Sequence, residues 1–404
     1  MSMKPFKKLL SRVEATDIIL KSVQRVDRIE TIPIEGASGR VLSGDIVAGF
    51  NVPPFDRSSM DGYGVKAEDT YGASNFNPIK LKLMSVQHAG EKFSGVIGKG
   101  ECVQVATGSP VPDGCDAVVM VEYTKTDVDS VEVYKPVYPR ANISPEGEDI
   151  IKGDLVLKSG EVLTPAKVGV LAALNLETVT VIVKPSTAVF STGSEIRPLG
   201  SELQPGQIYD INSYTVFSVA EANGCNPQRM GIVEDNKEAI VKAIKKATVH
   251  DIAVFSGGSS VGVRDLFADV VEEMGEIYFH GVQVKPGKPT LFGVVKGTHI
   301  FGMPGYPTSC LSNSYIFLAP ALRKLAGLSE ESQRHVKAKM GMRYVSGSGR
   351  EQFLTVRLED GVAHPVFKKS GAITSMADAD GYIVLPVNLD VIEEGEEVIV
   401  TLLE

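Results

Sequence analysis

No apolar run in this 404-residue sequence approaches the ~20 residues that a membrane-spanning helix requires, so no such helix is expected. The basic start, Met1 to Lys8, is followed by neither an apolar core nor a small-residue cleavage site, so export is not expected. Cysteine is scarce. Cys102, Cys115, Cys225 and Cys310 are widely scattered, with neither the paired spacing of a zinc site nor a disulfide framework, and they read as reduced thiols of a cytoplasmic protein. Positive charge is not in excess either: 41 basic residues face 50 acidic ones, a formal net charge of −9. Nucleic acid therefore has no global electrostatic support as a partner. An anionic small ligand would need local lysines or a bound cation.

Two phosphate-binding signatures are missing as well. Neither GxxxxGK[ST] nor GxGxxG occurs in the glycine-rich stretches, which removes a Walker loop and a dinucleotide fingerprint. What remains is an ordinary globular composition, 43% hydrophobic and 23% charged, long enough for two to four domains at about 150 residues each.

The pattern along the chain changes several times. Residues 11 to 28 place Val13, Ile18, Ile19 and Val23 at near-helical spacing. From Asp45 to about Tyr138 short β-rich runs such as "IKLKLMSV" and "AVVMVEY" alternate with Gly, Pro and Asp turns, the pattern of an inserted β domain. Thr164-Pro165 opens another helix, with an N-cap followed by proline at the first position. Its context suggests that this helix and the one near residue 15 share a unit interrupted by the β insertion. From Lys184 to Gly327 strands and helices alternate, which predicts a doubly wound parallel sheet with helices on both faces. Asp235 with Glu238 reads as a capping box. Strand-like runs then return, and a small C-terminal β domain is expected.

In a parallel sheet the loops after the strands gather along one edge, where ligands usually bind. Three such loops are poor in bulk: "STGSE" (191–195), "SGGSSVG" (256–262) and "GMPGYPTS" (302–309). Glycine and serine allow backbone N–H groups to approach an anion closely. Each glycine alone could merely turn strand into helix; three such loops together point to a ligand. Gly258-Ser259-Ser260-Val261-Gly262 also fits the GxSxG nucleophile elbow, with Ser260 as nucleophile, but nothing in the sequence singles out an acid partner. Asp265 either favours its helix N-terminus or faces the crevice. Lys285 and Lys288 flank a Pro-Gly turn in "VKPGKPT", suited to a phosphate or oxyanion or else to a plain surface turn.

Taken together, the segments "PPFDRSSMDGYGV" (53–65), "VATGSPVPDGCDAVVMVE" (105–122), "GEDIIKGD" (147–154), "STGSEI" (191–196), "SGGSSVGVRD" (256–265), "KPGKPT" (285–290) and "MPGYPTS" (303–309) resemble the molybdopterin molybdenumtransferase family, known as MoeA in bacteria and as the E domain of gephyrin in animals. The resemblance runs essentially end to end. It implies a discontinuous first domain (1–44 and 145–183), an inserted β-rich domain (45–144), a doubly wound molybdopterin-binding domain (184–328) and a C-terminal β-barrel (329–404), in a homodimer. It also implies insertion of molybdate or tungstate into adenylylated molybdopterin, with release of AMP and help from Mg²⁺. A non-catalytic peptide-binding scaffold, or a molybdopterin adenylyltransferase, is the alternative. Contact with such an adenylyltransferase is a further expectation.

On the same basis Asp265, Glu195 and Asp149 are the expected catalytic residues. Asp61, Glu195, Asp235 and Asp265 are the expected metal ligands, because carboxylate oxygens suit a hard cation. Asp61 could instead stabilise its own turn. Thr107, Ser109, Gly257, Gly258, Ser259, Ser260, Lys285, Lys288, Pro304, Gly305, Pro307 and Ser309 are expected to contact substrate. Three departures stand out: Ser144-Pro145-Glu146 occupies a segment where the family often has arginine, Ser259 replaces a common valine, and Ser194 stands where an acid is frequent.

Overall fold

The computed structural model describes residues 9–257, 266–329, 334–347, 349–366 and 371–403. The chain divides into two compact units, one formed by residues 1–30, 39–41 and 180–404 and the other by 31–38 and 42–179. Among the described residues no helix is long and apolar enough to cross a membrane.

The first helix, α1 (Arg12–Ser22), is shorter than its apolar spacing predicts. A capping box of Ser11 and Glu14 starts it, satisfying two of the otherwise unpaired backbone groups of the first turn. Ile19 and Val23 are buried, whereas Val13 is 67% exposed.

The second unit is built on a six-stranded sheet of β1 (Gly62–Val65), β2 (Ile79–Gln87), β3 (Glu101–Val105), β4 (Ala117–Met120), β5 (Thr124–Thr126) and β6 (Ser130–Val133). Its order is β4-β1-β3-β2-β6-β5. Tyr63, Val65, Leu81, Cys102, Val119 and Val131 form one buried cluster. Val103, Val105 and Val118, of the other parity on β3 and β4, form a second buried cluster with Ile97, so these strands are covered on both faces. Helix α2 (Pro165–Ala173) begins as expected, with the Thr164 hydroxyl accepting from the Lys167 amide.

The first unit holds a mixed sheet of β7 (Ser186–Thr192), β10 (Asn226–Val233), β11 (Ile252–Ser256), β12 (Glu276–His280), β14 (Leu291–Val295) and β15 (Thr298–Met303). Between these strands lie the short paired strands β8 (Ile196–Arg197) and β9 (Ile208–Tyr209), and β13 (Val284–Lys285). The sheet order is β10-β7-β11-β15-β14-β12. The first four strands are parallel, but β14 runs antiparallel to β15 and pairs antiparallel with β12, which runs with the first four. The expected all-parallel sheet is thus corrected at one side. Lys296 and Gly297 both adopt positive φ, 51° and 86°, and form a two-residue turn that reverses the chain between β14 and β15.

Helices α3 (Asn212–Ala222), α4 (Lys237–Ala247), α5 (Leu266–Met274), α6 (Pro307–Asn313) and α7 (Ala319–Ala326) accompany this sheet. Helices α4 and α5 close one face. Ile240, Ile244, Phe267 and Val271 pack there on Phe190, Phe255 and Ile300, with the Phe190 and Phe255 rings stacked at 4.5 Å. Because residues of alternate parity point to the other face, Val189 and Val254, also fully buried, require a second cover. Helix α3 supplies it against β7 and β11. Burial on both faces explains why these strands read as continuous apolar runs. The helix of residues 237–247 is capped by Asn236, whose side chain accepts from the Ala239 amide at 2.9 Å. The expected Asp235–Glu238 box is therefore displaced by one residue, and Asp235 lies in the loop before the helix.

Helix α1 sits against α7. Lys324 Nζ donates to the Leu20 carbonyl at 2.7 Å and the Val26 amide to the Leu325 carbonyl at 3.0 Å. These contacts place α1 in the first compact unit. The C-terminal strands β16 (His335–Met340), β17 (Glu351–Glu359), β18 (Val362–Pro365), β19 (Gly381–Leu385) and β20 (Glu397–Leu402) close into a barrel in the order β17-β18-β16-β20-β19, with β19 pairing back onto β17. Strand β13 adds to β17 in parallel.

Candidate active site

Strand register determines which loops meet. Val233 pairs with Thr192, Ser191 with Ser256, Ser256 with Met303, and Gly302 with Leu291. The segments that follow β10, β7, β11 and β15 therefore leave one edge of the sheet. The segment before β14 joins them because β14 runs the other way. This edge gathers Asp235, Glu195, Gly257, Pro304, Gly305, Pro307, Lys285 and Lys288. At about 4.8 Å per strand, the lysine turn before β14 lies roughly 14 Å from the loop after β7.

An open cleft lies among these loops, lined by Ser191, Glu195, Asp210, Asn212, Gly257, Gly305 and Pro307 among others. Glycine is required at two places. A side chain on Gly257, at φ 89°, would meet the Thr192 carbonyl at 2.2 Å, and one on Gly193 would meet the Glu195 carboxylate at 2.6 Å. The Glu195 carboxylate thus folds back over Gly193. Gly305 approaches Gly257 closely, its ideal Cβ position only 3.5 Å from the Gly257 Cα. Pro304 and Ser309 are buried beneath this loop, and Pro307 begins α6.

The floor of the cleft was not foreseen from sequence. Asp210 is 6% exposed and accepts from Ser191 Oγ at 2.7 Å, Ser213 N at 3.1 Å and Ser213 Oγ at 2.5 Å. Three donors compensate the desolvation of its carboxylate. Asn212 donates from Nδ2 to the Gly305 carbonyl at 2.9 Å, tying α3 to the loop after β15. An Asp-x-Asn-Ser run ahead of an apolar helix was the available signal, but such residues are also ordinary helix starters.

The lysine turn is held from two sides. Asn313 Nδ2, at the end of α6, donates to the Gly287 carbonyl at 2.7 Å and to Thr290 Oγ1 at 2.6 Å. Lys285 pairs with Gln352 of the barrel, and a side chain at Gly347 would meet Lys285 Nζ at 2.8 Å. Both lysines are half-buried. Asp265 and the stretch Gly258, Ser259 and Ser260 lie outside the described residues, as does the GxSxG reading with them.

The second unit contains the other expected residues. Asp61 Oδ1 accepts from the Thr107 amide at 2.7 Å and the Thr107 hydroxyl at 2.9 Å. These two donors hold the Asp61 carboxyl below its ordinary pKa. Ser109 is buried beside them, with Ser58 N donating to its carbonyl at 2.9 Å. Asp149 is exposed on a separate turn whose amide donates to the Val52 carbonyl at 3.0 Å. Among the described residues no group of three or more His, Cys, Asp or Glu side chains is placed to hold a metal ion. All four cysteines are free. Burial pushes their thiols up to about 12, so they stay protonated.

Three family models match the chain: the MoeA N-terminal region (domain I and II) over residues 10–175, the probable molybdopterin binding domain over 188–324, and the MoeA C-terminal region (domain IV) over 337–403. The chain belongs to the MoeA family. It is 32% identical to a molybdopterin molybdenumtransferase of Staphylococcus aureus (strain MW2), over 88% of this chain and 87% of that protein. Molybdopterin molybdenumtransferase 2 of Mycobacterium tuberculosis is 33% identical, over 94% and 96% of the two chains. A solved molybdopterin biosynthesis MoeA protein from Pyrococcus horikoshii OT3 matches with a TM-score of 0.84 at 34% identity, covering 98% of this MoeA-family chain and 100% of that one.

Proposed function

We propose that this MoeA-family chain is a molybdopterin molybdenumtransferase of molybdenum cofactor biosynthesis. It inserts molybdate or tungstate into adenylylated molybdopterin and releases AMP. The observation that supports this reading best is the presence, along one sheet edge, of a polar cleft and a rigid turn carrying Lys285 and Lys288. The lysines hold the oxyanion. Gly257, Gly258, Ser259, Ser260, Pro304, Gly305, Pro307 and Ser309 are assigned to the organic ligand, and Thr107 and Ser109 are further proposed substrate contacts. Asp265, Glu195 and Asp149 are assigned the catalytic work, a carboxylate being able to move a proton during insertion.

Mg²⁺ is the proposed metal. Asp61, Glu195 and Asp235 are exposed carboxylates and, with Asp265, offer the hard oxygen donors that this ion prefers. When bound, the ion would offset the charge of the phosphates. Four domains with the boundaries given above, a homodimer, contact with an adenylyltransferase that supplies the substrate, and a cytoplasmic location complete the proposal. The free, protonated thiols suit a reducing compartment.

The test is direct. Purified protein given adenylyl-molybdopterin, molybdate and Mg²⁺ should release AMP, measured by chromatography. Asp265→Asn should lose nearly all release while keeping the wild-type circular dichroism spectrum. A folded wild-type protein that releases none would contradict the proposal.

A further inference from the structure

Asn313, the last residue of α6, is completely buried. An amide in such a place costs stability unless its donors are used. Both contacts of its nitrogen go to one target, the lysine turn: Nδ2 donates to the Gly287 carbonyl at 2.7 Å and to Thr290 Oγ1 at 2.6 Å. The Thr290 hydroxyl donates in turn to the Gly287 carbonyl at 3.0 Å. Three groups thus close a ring on one carbonyl of the turn.

The fit leaves no slack. A side chain on Gly287, at φ 100°, would meet Asn313 Nδ2 at 2.4 Å. The helix also changes phase at this point. Pro320 offers no amide to the Ile316 carbonyl four residues back, and the chain accommodates this with a single π turn, Ser314–Leu318, in which the Ala319 amide donates to the Ser314 carbonyl. The extra residue rotates α6 by about 100° relative to α7, which decides the face on which Asn313 lies. Such turns inside helices recur at functional sites.

The two lysines are anchored separately as a result. Lys285 is paired with Gln352 of the barrel. Lys288 is held at its own carbonyl, which accepts from the Val282 amide at 2.9 Å and the Thr290 amide at 3.0 Å. It is held a second time through the peptide before it, whose carbonyl is the one that Asn313 grips. Because a peptide unit is planar, fixing that carbonyl fixes the Lys288 amide with it.

From this arrangement we infer that Asn313 is a positioning residue for the oxyanion: it touches no ligand, and acts by setting the backbone from which Lys288 extends. The inference rests on the reading that Lys285 and Lys288 hold the oxyanion, and deepens it by naming what aims one of them.

Titration calorimetry with molybdate on the intact protein would compare wild type, Asn313→Ala, Thr290→Val, Lys288→Ala and the double variant Asn313→Ala with Lys288→Ala, each checked for fold by circular dichroism. Asn313→Ala should bind molybdate about tenfold more weakly, the usual worth of one charge-assisted hydrogen bond. Thr290→Val keeps the shape of its side chain but opens the ring from the other side, and should weaken binding in the same direction, which keeps the test decisive if Asn313→Ala does not fold. In the double variant Asn313→Ala should add nothing to the loss from Lys288→Ala, because both changes act through one group. Wild-type affinity in folded Asn313→Ala or Thr290→Val would overturn the inference, since a residue that only supports the fold alters stability and not affinity. Losses that simply add in the double variant would overturn it too. Wild-type affinity in Lys288→Ala would remove the lysine reading itself, and the inference with it, so the two failures are told apart.

Discussion

Two carboxylates in this molecule are held by the same hydrogen-bonding device in opposite settings. Asp61, in the second unit, accepts from the amide and hydroxyl of Thr107. Asp210, in the first, accepts from the amide and hydroxyl of Ser213, with Ser191 Oγ added. Asp61 is exposed, whereas Asp210 is 6% exposed. The difference teaches that burial, more than the count of hydrogen bonds, determines what a polar contact does. In water the donors of Thr107 can exchange to solvent. In the cleft floor the two Ser213 donors are buried with Asp210, so the same contacts position the start of α3.

Substitution should expose this contrast. Asp210→Ala would leave the Ser213 amide and hydroxyl unpaired in the cleft floor, Ser191 Oγ keeping its contact with Ser256 Oγ at 3.3 Å, and should cost about 4 kcal/mol, at roughly 1–3 kcal/mol for each buried group. Scanning calorimetry would register this as a lowered transition for the first unit, and an unchanged transition would erase the distinction between the two sites. Gly257→Ala tests the loop above the floor. Its positive φ and the 2.2 Å approach to the Thr192 carbonyl predict a loss of about 3 kcal/mol by the same measurement, from strain and overpacking together.

Asp61→Asn should leave the calorimetric midpoint where it is and act on turnover alone. The lowered pKa of Asp61 has a definite sign. Because the folded state favours the ionised form, its contact with Thr107 is present above the ordinary carboxyl pKa. It is lost only as pH falls through the lowered value. Carboxyl-detected NMR titration should therefore find Asp61 ionising below the ordinary carboxyl value. An Asp61 that titrates at or above the ordinary value would refute the contact.

The frame of the first unit was legible because its signals are local. The fully apolar strand "AVF" and the small-residue loops "STGSE" and "GMPGYPTS" each carry their geometry in a few adjacent residues. The reversal of β14 depends on two residues, Lys296 and Gly297, that read equally well as a loop leading to another crossover. Asn236 displaced Asp235 as the helix cap because adjacent Asp and Asn are near-equal caps, and backbone geometry chose between them. The Asp210–Asn212 floor was least visible. Its meaning arises only when the loops after β7, β11 and β15 close over it, a relation among residues about 20, 45 and 95 positions away.

The central claim is that one sheet edge separates the organic ligand from the oxyanion. A crystal of the protein grown with AMP and tungstate tests it most directly, since the anomalous signal of tungsten locates the anion without interpretation. Tungsten is expected within hydrogen-bonding reach of Lys285 or Lys288, with the nucleoside in the cleft lined by Glu195 and Gly305. Tungsten in the cleft beside Asp210 and Glu195, or the nucleoside at the lysine turn, would contradict it.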